Sequence, residues 1–164
     1  VMASLQNLNL VIIGFMNNNI LRSFDFLKKK YNLSERLFIV GPVPNDQIIY
    51  FASSADFGLI PLTGKSINTR LSALNKISEY LMSGLPLICS NYKNLEKIVN
   101  NNPIGKVGYI FNVNDKASIK NSILKLLKNN FYKSLKPKTL LLAHRYYNWD
   151  TEVKKLDIIY ATND

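Results

Sequence analysis

The sequence predicts an α/β fold, a three-layer α/β/α arrangement around a parallel sheet. Three observations predict it. Short β-branched runs alternate with longer runs of helical periodicity. The links between them are only a few residues long, the pattern of parallel strands joined by right-handed crossovers. And 164 residues, 47% of them hydrophobic, are enough for one domain with a buried core, so residues 1–164 are expected to form a single domain.

Each element follows from its residues. Leu8 to Gly14 (Leu-Asn-Leu-Val-Ile-Ile-Gly) reads as a buried strand ending on glycine. Ile20 to Tyr31 sets Leu21, Phe24, Leu27 and Tyr31 at helical spacing, with Lys28, Lys29 and Lys30 where cations suit the helix dipole. Arg36 to Gly41 is a second strand, closed by Gly41-Pro42. Asn45 or Asp46 is placed to cap a short helix holding Ile48, Ile49 and Phe51. Ala55 to Pro61 is a third strand, stopped by proline, and a polar, irregular stretch from Thr63 to Ser72 follows. Leu74 to Ser83 is a helix with Ile77, Tyr80 and Leu81 on one face, ended by Gly84. Leu85 to Ser90 is a fourth strand, Leu95 to Asn101 a short helix and Gly108 to Val113 a fifth strand. Ser118 to Lys128 is amphipathic, with Ile119, Ile123, Leu124, Leu126 and Leu127. A Lys-rich segment and a closing helix within 147–164, from Trp149 or Asp150 to Tyr160, finish the chain.

Composition narrows the function classes. The single cysteine, Cys89, excludes an internal disulfide framework and a cysteine-built zinc site, and its apolar strand marks it as an inert core residue. No apolar run approaches the ~20 residues of a membrane-spanning helix. The opening Val-Met-Ala-Ser is no signal-peptide pattern, so a cytoplasmic, reducing location is expected. Lys plus Arg number 21 against 11 Asp plus Glu, a net +10 that leaves nucleic acid, anionic lipid and phosphorylated ligands open. Gly14 lacks a Gly-x-Gly-x-x-Gly context, and Gly64-Lys65-Ser66 has no earlier glycine to make a phosphate loop. His144, the lone histidine, reads as structural, and Trp149 as a packing anchor.

In parallel sheets ligands sit beyond the carboxyl ends of the strands. That selects Gly14-Phe15, Gly41 to Val43, Pro61 to Lys76 and Ser90-Asn91. Residues 61–91 are the most informative: a strand end, a donor-rich polar loop, and a helix whose first turn carries Lys76, with Glu79 three residues on. Free amides and a cation at a helix N-terminus suit a diphosphate. A carboxylate at i+3 faces the same side and can accept two hydroxyl hydrogen bonds, as from a ribose diol. An ordinary surface ion pair between Lys76 and Glu79 fits the same spacing, and both readings stay open on the residues alone.

The stretch Asn75-Lys76-Ile77-Ser78-Glu79-Tyr80-Leu81-Met82-Ser83-Gly84-Leu85-Pro86-Leu87-Ile88 resembles the C-terminal, donor-binding domain of GT-B glycosyltransferases of the retaining family-4 type. The resemblance continues through Leu10 to Gly14, Leu37 to Pro44, Ala52 to Pro61 and Tyr147-Asn148-Trp149, in order along most of the chain. It implies a Rossmann-like fold and metal-independent, retaining transfer of a sugar from a UDP- or GDP-sugar donor, with no cofactor. Glu79 matches the glutamate that holds the donor ribose. Ser72, Ala73, Leu74 and Asn75 match the loop and helix start whose amides meet the diphosphate, and Lys76 adds charge there. Gly14-Phe15 matches the glycine turn that approaches the donor, and Val43 the loop that meets the base. The family's earlier glutamate is replaced by Leu71, which leaves the sugar-hydroxyl contact unassigned. No residue is identified as catalytic.

The resemblance also implies a fragment of a longer two-domain enzyme. The family's first strand, with its basic pair, and the N-terminal acceptor domain are absent, so the chain alone is expected not to turn over. Capsule, lipopolysaccharide or other bacterial surface polysaccharide synthesis is the implied setting, and the positive charge allows peripheral contact with an anionic membrane. Two rivals stand beside it. A basic α/β module gripping nucleic acid would need aromatics interleaved with a Lys/Arg stripe, whereas the Tyr and Phe here fall mostly at core spacing, so no nucleic acid is expected. Another GT-B-fold enzyme, such as a nucleotide-sugar epimerase, would need acid/base histidines that the chain lacks.

Overall fold

The structure, a computed structural model, describes residues 1–63 and 75–161, with the side chains at 155, 157 and 159 excepted. The chain divides into two compact units, Val1–Ile48 and Ile49–Asp164.

The first unit is a β-α-β crossover. Strand β1 (Leu10–Ile13), helix α1 (Asn18–Tyr31) and strand β2 (Leu37–Val40) follow the apolar runs, and β1 pairs β2 in parallel from Leu10↔Leu37 to Ile13↔Val40. The Asn17 side chain caps α1 by accepting from the Ile20 N–H, and Asn32 closes it in the left-handed conformation with φ 51°. Ahead of β1, a 3₁₀ turn (Met2–Ser4) is held by the Arg36 guanidinium, which donates to the carbonyls of Met2, Leu5 and Gln6 at 3.2, 2.8 and 3.1 Å. Only Leu33 and Leu37 are buried apolar residues in this unit. A 3₁₀ turn, Asn45–Gln47, follows Pro44. The side-chain cap expected from Asn45 or Asp46 does not form, because the tight turn closes through the Gln47 N–H to the Pro44 carbonyl instead.

The second unit holds the core. Helix α2 (Ile48–Ser53) leads to β3 (Gly58–Ile60); α3 (Asn75–Met82), β4 (Leu87–Ser90), α4 (Lys93–Val99), β5 (Gly108–Phe111) and α5 (Lys116–Leu127) follow. The strands form a parallel sheet in the order β3-β4-β5. All four residues of β4 are buried, as expected of a parallel strand covered on both faces. Ile77 and Leu81 of α3, Leu95 and Val99 of α4, and Leu142 and Ala143 pack with Leu87 and Cys89 in one cluster. Gly84, at φ +68°, ends α3 with the Leu85 N–H bonded to the Tyr80 carbonyl, a turn that favours glycine. Gly58 and Gly108 are glycine for a different reason. A Cβ would strike the Tyr80 ring at the first and the Leu87 backbone at the second.

Helix α6 (Phe131–Tyr146), which replaces the expected Lys-rich segment, is the main addition. Pro137 lies inside it, and Thr139 occupies a buried position with its hydroxyl bonded to the Leu135 carbonyl at 2.9 Å. The last helix, α7, spans Trp149–Ala161. Trp149 is not the packing anchor expected: it is 71% exposed, and its neighbour Tyr147 packs against the core cluster in its place.

Candidate functional site

Glu79 sits where a crossover helix returns across the sheet. β3 and β4 are parallel, so the segment joining them runs from the carboxyl end of β3 back to the amino end of β4. The first turn of α3 therefore stands at the carboxyl end of the sheet and carries Asn75 and Lys76, both exposed. One turn on, Glu79 is half-buried. Its backbone is held: the Glu79 carbonyl accepts from the Ser83 Oγ at 2.7 Å and the Ser83 N–H at 3.0 Å. Buried Ile77 and Leu81 fix which face of α3 points inward.

Among the described residues no ion pair joins Lys76 and Glu79, so the surface-pair alternative is not what the structure adopts. Next to Glu79, burial first, then the Glu79 carboxylate and Cys89, raise the Tyr80 phenol above its usual range. The hydroxyl therefore stays protonated. Cys89 is also in the core, where burial pushes its thiol up to about 12 and leaves it inert, as expected.

Gly14, Phe15 and Val43 belong to the first unit, at the carboxyl ends of its two strands. The Gly14 N–H bonds the Val40 carbonyl at 3.1 Å, and φ +140° at Gly14 is a conformation that favours glycine. The chain then turns out, leaving the Phe15 ring 87% exposed. Val43 is half-buried, in the turn after Gly41-Pro42. The structure thus brings Asn75, Lys76 and Glu79 together on one helix and Gly14 beside the end of β2. Ser72, Ala73 and Leu74, with Leu71, lie outside the described residues. Ser90, at the end of β4, is fully buried, and its hydroxyl donates to the Ile60 carbonyl at 3.3 Å, which commits it to the sheet.

Sequence reasoning passed over Lys106 and Tyr109. Lys106 Nζ lies 3.9 Å from the centre of the Tyr109 ring, and the only signal in the sequence is a lysine three residues before an aromatic at a strand start. Among the described residues no three His, Cys, Asp or Glu side chains gather as a metal site requires. No helix among them is long and apolar enough to cross a membrane.

The chain is similar in fold to known structures. Sucrose-phosphate synthase from Thermosynechococcus elongatus aligns at a TM-score of 0.79 and 18% identity, over 98% of this chain and 40% of that one. The catalytic domain of starch synthase IV from Arabidopsis thaliana, bound to ADP and acarbose, aligns at 0.65 and 13% identity, over 94% of this chain and 32% of that one. The chain spans less than half the length of either, and the likeness establishes the fold: the Rossmann-like α/β fold of GT-B glycosyltransferases. Among curated protein sequences, none matches the chain significantly. The family assignment comes from a sequence profile, that of Glycosyl transferases group 1, which matches residues 1–139. That match takes in the whole of the first unit and the second as far as residue 139, and it places the chain in the glycosyl transferases group 1 family.

Proposed function

We propose that this chain is the donor-binding half of a retaining glycosyltransferase that holds a UDP- or GDP-sugar and transfers its sugar without a metal ion. The observation that carries the reading is Glu79, a half-buried carboxylate one turn into α3 and free of Lys76. It accepts hydrogen bonds from the two ribose hydroxyls of the donor. The amino end of α3 and the Lys76 ammonium face the diphosphate, and Ser72, Ala73, Leu74 and Asn75 supply the amides that meet it. As the bond between the sugar and the diphosphate breaks, negative charge grows on the departing phosphate oxygen. Amides and a cation already aimed at that charge lower the barrier. In the first unit, Gly14-Phe15 and Val43 are the positions that the resemblance assigns to donor contact. The ADP held by the Arabidopsis starch synthase IV structure is a nucleoside diphosphate of the kind this reading requires.

The acceptor is bound by a further domain of a longer protein, and an upstream strand completes the first unit. Supporting this, the chain spans only 40% of sucrose-phosphate synthase, and Val11 and Ile13 of β1 are 54% and 41% exposed. By itself the chain does not turn over. The setting we infer is bacterial surface polysaccharide synthesis at the inner face of the membrane, to which the net +10 draws the enzyme.

The test uses the full-length protein. Glu79→Ala removes two charge-assisted hydrogen bonds, so kcat/KM for the donor falls by about 100-fold, whereas acceptor KM is unchanged. Lys76→Ala lowers it by about tenfold. Unaltered donor kinetics in Glu79→Ala would remove the ribose role, and no thermal shift with UDP, GDP or ADP would remove the donor site.

A further inference from the structure

The positive charge is unevenly placed. Residues 106–138 carry eight lysines against a single acidic residue, Asp115, a net +7 out of the chain's +10. Within this segment lies a cavity of about 370 Å³ between the end of α5 and the start of α6. Lys125, Lys128, Asn129, Asn130 and Phe131 line it with Tyr109 of β5, and no carboxylate is among the lining side chains. The Tyr109 and Phe131 rings lie 6.4 Å apart and tilted by 56°, and beside the lining the Lys106 ammonium sits over the Tyr109 ring, 3.9 Å from its centre.

Three features of this cavity favour an anion. Desolvation first, then the charge of Lys125, lower the Lys106 ammonium below its usual range, so two cations are held close enough to repel. Asn129 and Asn130 are consecutive left-handed residues, φ 52° and 55°, followed by right-handed Phe131, a succession that turns neighbouring backbone N–H groups toward one point. Those amides open a 16-residue helix whose N-cap, Asn130, makes no side-chain capping hydrogen bond. Lys106 precedes β5 and Lys125 ends α5, so the cavity is at the amino end of the sheet, opposite the end where α3 begins.

We propose that this cavity binds a phosphate ester, its charge met by Lys106, Lys125 and Lys128 and its carrier resting against Tyr109 and Phe131. A small phosphorylated molecule and an anionic lipid headgroup present the same chemistry. At about 370 Å³ the space is of the size that small-ligand sites occupy.

The test titrates the full chain with inorganic phosphate, and separately sediments it with vesicles of phosphatidylcholine alone or mixed with phosphatidylglycerol. Lys125→Glu/Lys128→Glu is compared with Lys116→Glu/Lys120→Glu, the same charge change at the other end of α5. The expected result is binding that falls by about tenfold or more in the first variant and by less than about twofold in the second. Lys106→Gln, a milder change, shifts binding in the same direction as the first variant. A phosphate response without vesicle binding identifies a small ligand, and binding confined to phosphatidylglycerol vesicles identifies a headgroup. Either outcome upholds the site if it is lost in Lys125→Glu/Lys128→Glu. Three results would overturn it: binding of neither probe, equal loss in the two charge variants, or loss in Lys76→Ala with retention in Lys125→Glu/Lys128→Glu.

Discussion

β1, Leu-Val-Ile-Ile, is wholly aliphatic and β4, Leu-Ile-Cys-Ser, is not, yet β4 is the strand that is buried. Every residue of β4 is buried, whereas β1 alternates between half-buried and exposed. β4 has a strand on each side and helices α3 and α4 packed with it; β1 has β2 alone. Parallel strands depend on cover from both faces, and a two-stranded sheet with one helix supplies little of it. Apolar sequence thus states what a strand needs, and only its neighbours decide whether the need is met.

The largest expected effect follows from that contrast. Leu81→Ala empties a fully buried site in the second unit and costs about 2–5 kcal/mol. Val11→Ala, on an exposed strand position, stays within about 1 kcal/mol by the same surface reasoning. Urea unfolding of both variants measures the difference, and equal costs would mean that β1 is as tightly covered as β4. Next in size, the β1 and β2 amides exchange with deuterium at an opening free energy lower than those of β4, by at least about 1.4 kcal/mol or tenfold in protection. Uniform protection would break the comparison between the units. A third effect, confined to alkaline pH, is a pH dependence. Folding raises the Cys89 thiol from 9.0 to about 12, so its contribution to stability is intact below about pH 9 and is lost as pH rises toward 12. Cys89→Ala therefore shows a shallower loss of stability over that interval in urea titrations, and identical slopes would refute the shift.

Much of the architecture was legible in the sequence because β-branched runs and helical spacing survive in most elements. The five strands lie within the expected runs, though each is shorter at one or both ends: Gly58–Ile60 lies inside Ala55 to Pro61. Helix α6 was not legible as such. Its buried positions, Leu135, Thr139, Leu142 and Ala143, do keep helical spacing, but one is a threonine and Pro137 stands among them. A hydroxyl that bonds within its own helix can occupy a core position that polarity patterns assign to the surface. The candidate site was legible on α3, where Lys76 and Glu79 follow from local spacing. The Lys106–Tyr109 pairing was not, because the cavity beside it depends on how β5, α5 and α6, though consecutive in the chain, fold back on one another.

The Arg36 clamp places its constraint on one position. The guanidinium binds only main-chain carbonyls of Met2, Leu5 and Gln6, so it recognises the path of the backbone and not the identity of those residues. Substitutions at Met2, Leu5 or Gln6 that keep the turn leave the anchorage intact, whereas any change at Arg36 removes it at a stroke. Variation among relatives should therefore be broad over residues 2–6 and narrow at Arg36, and lysine, with a compact ammonium in place of the planar fork, would not be an equivalent replacement.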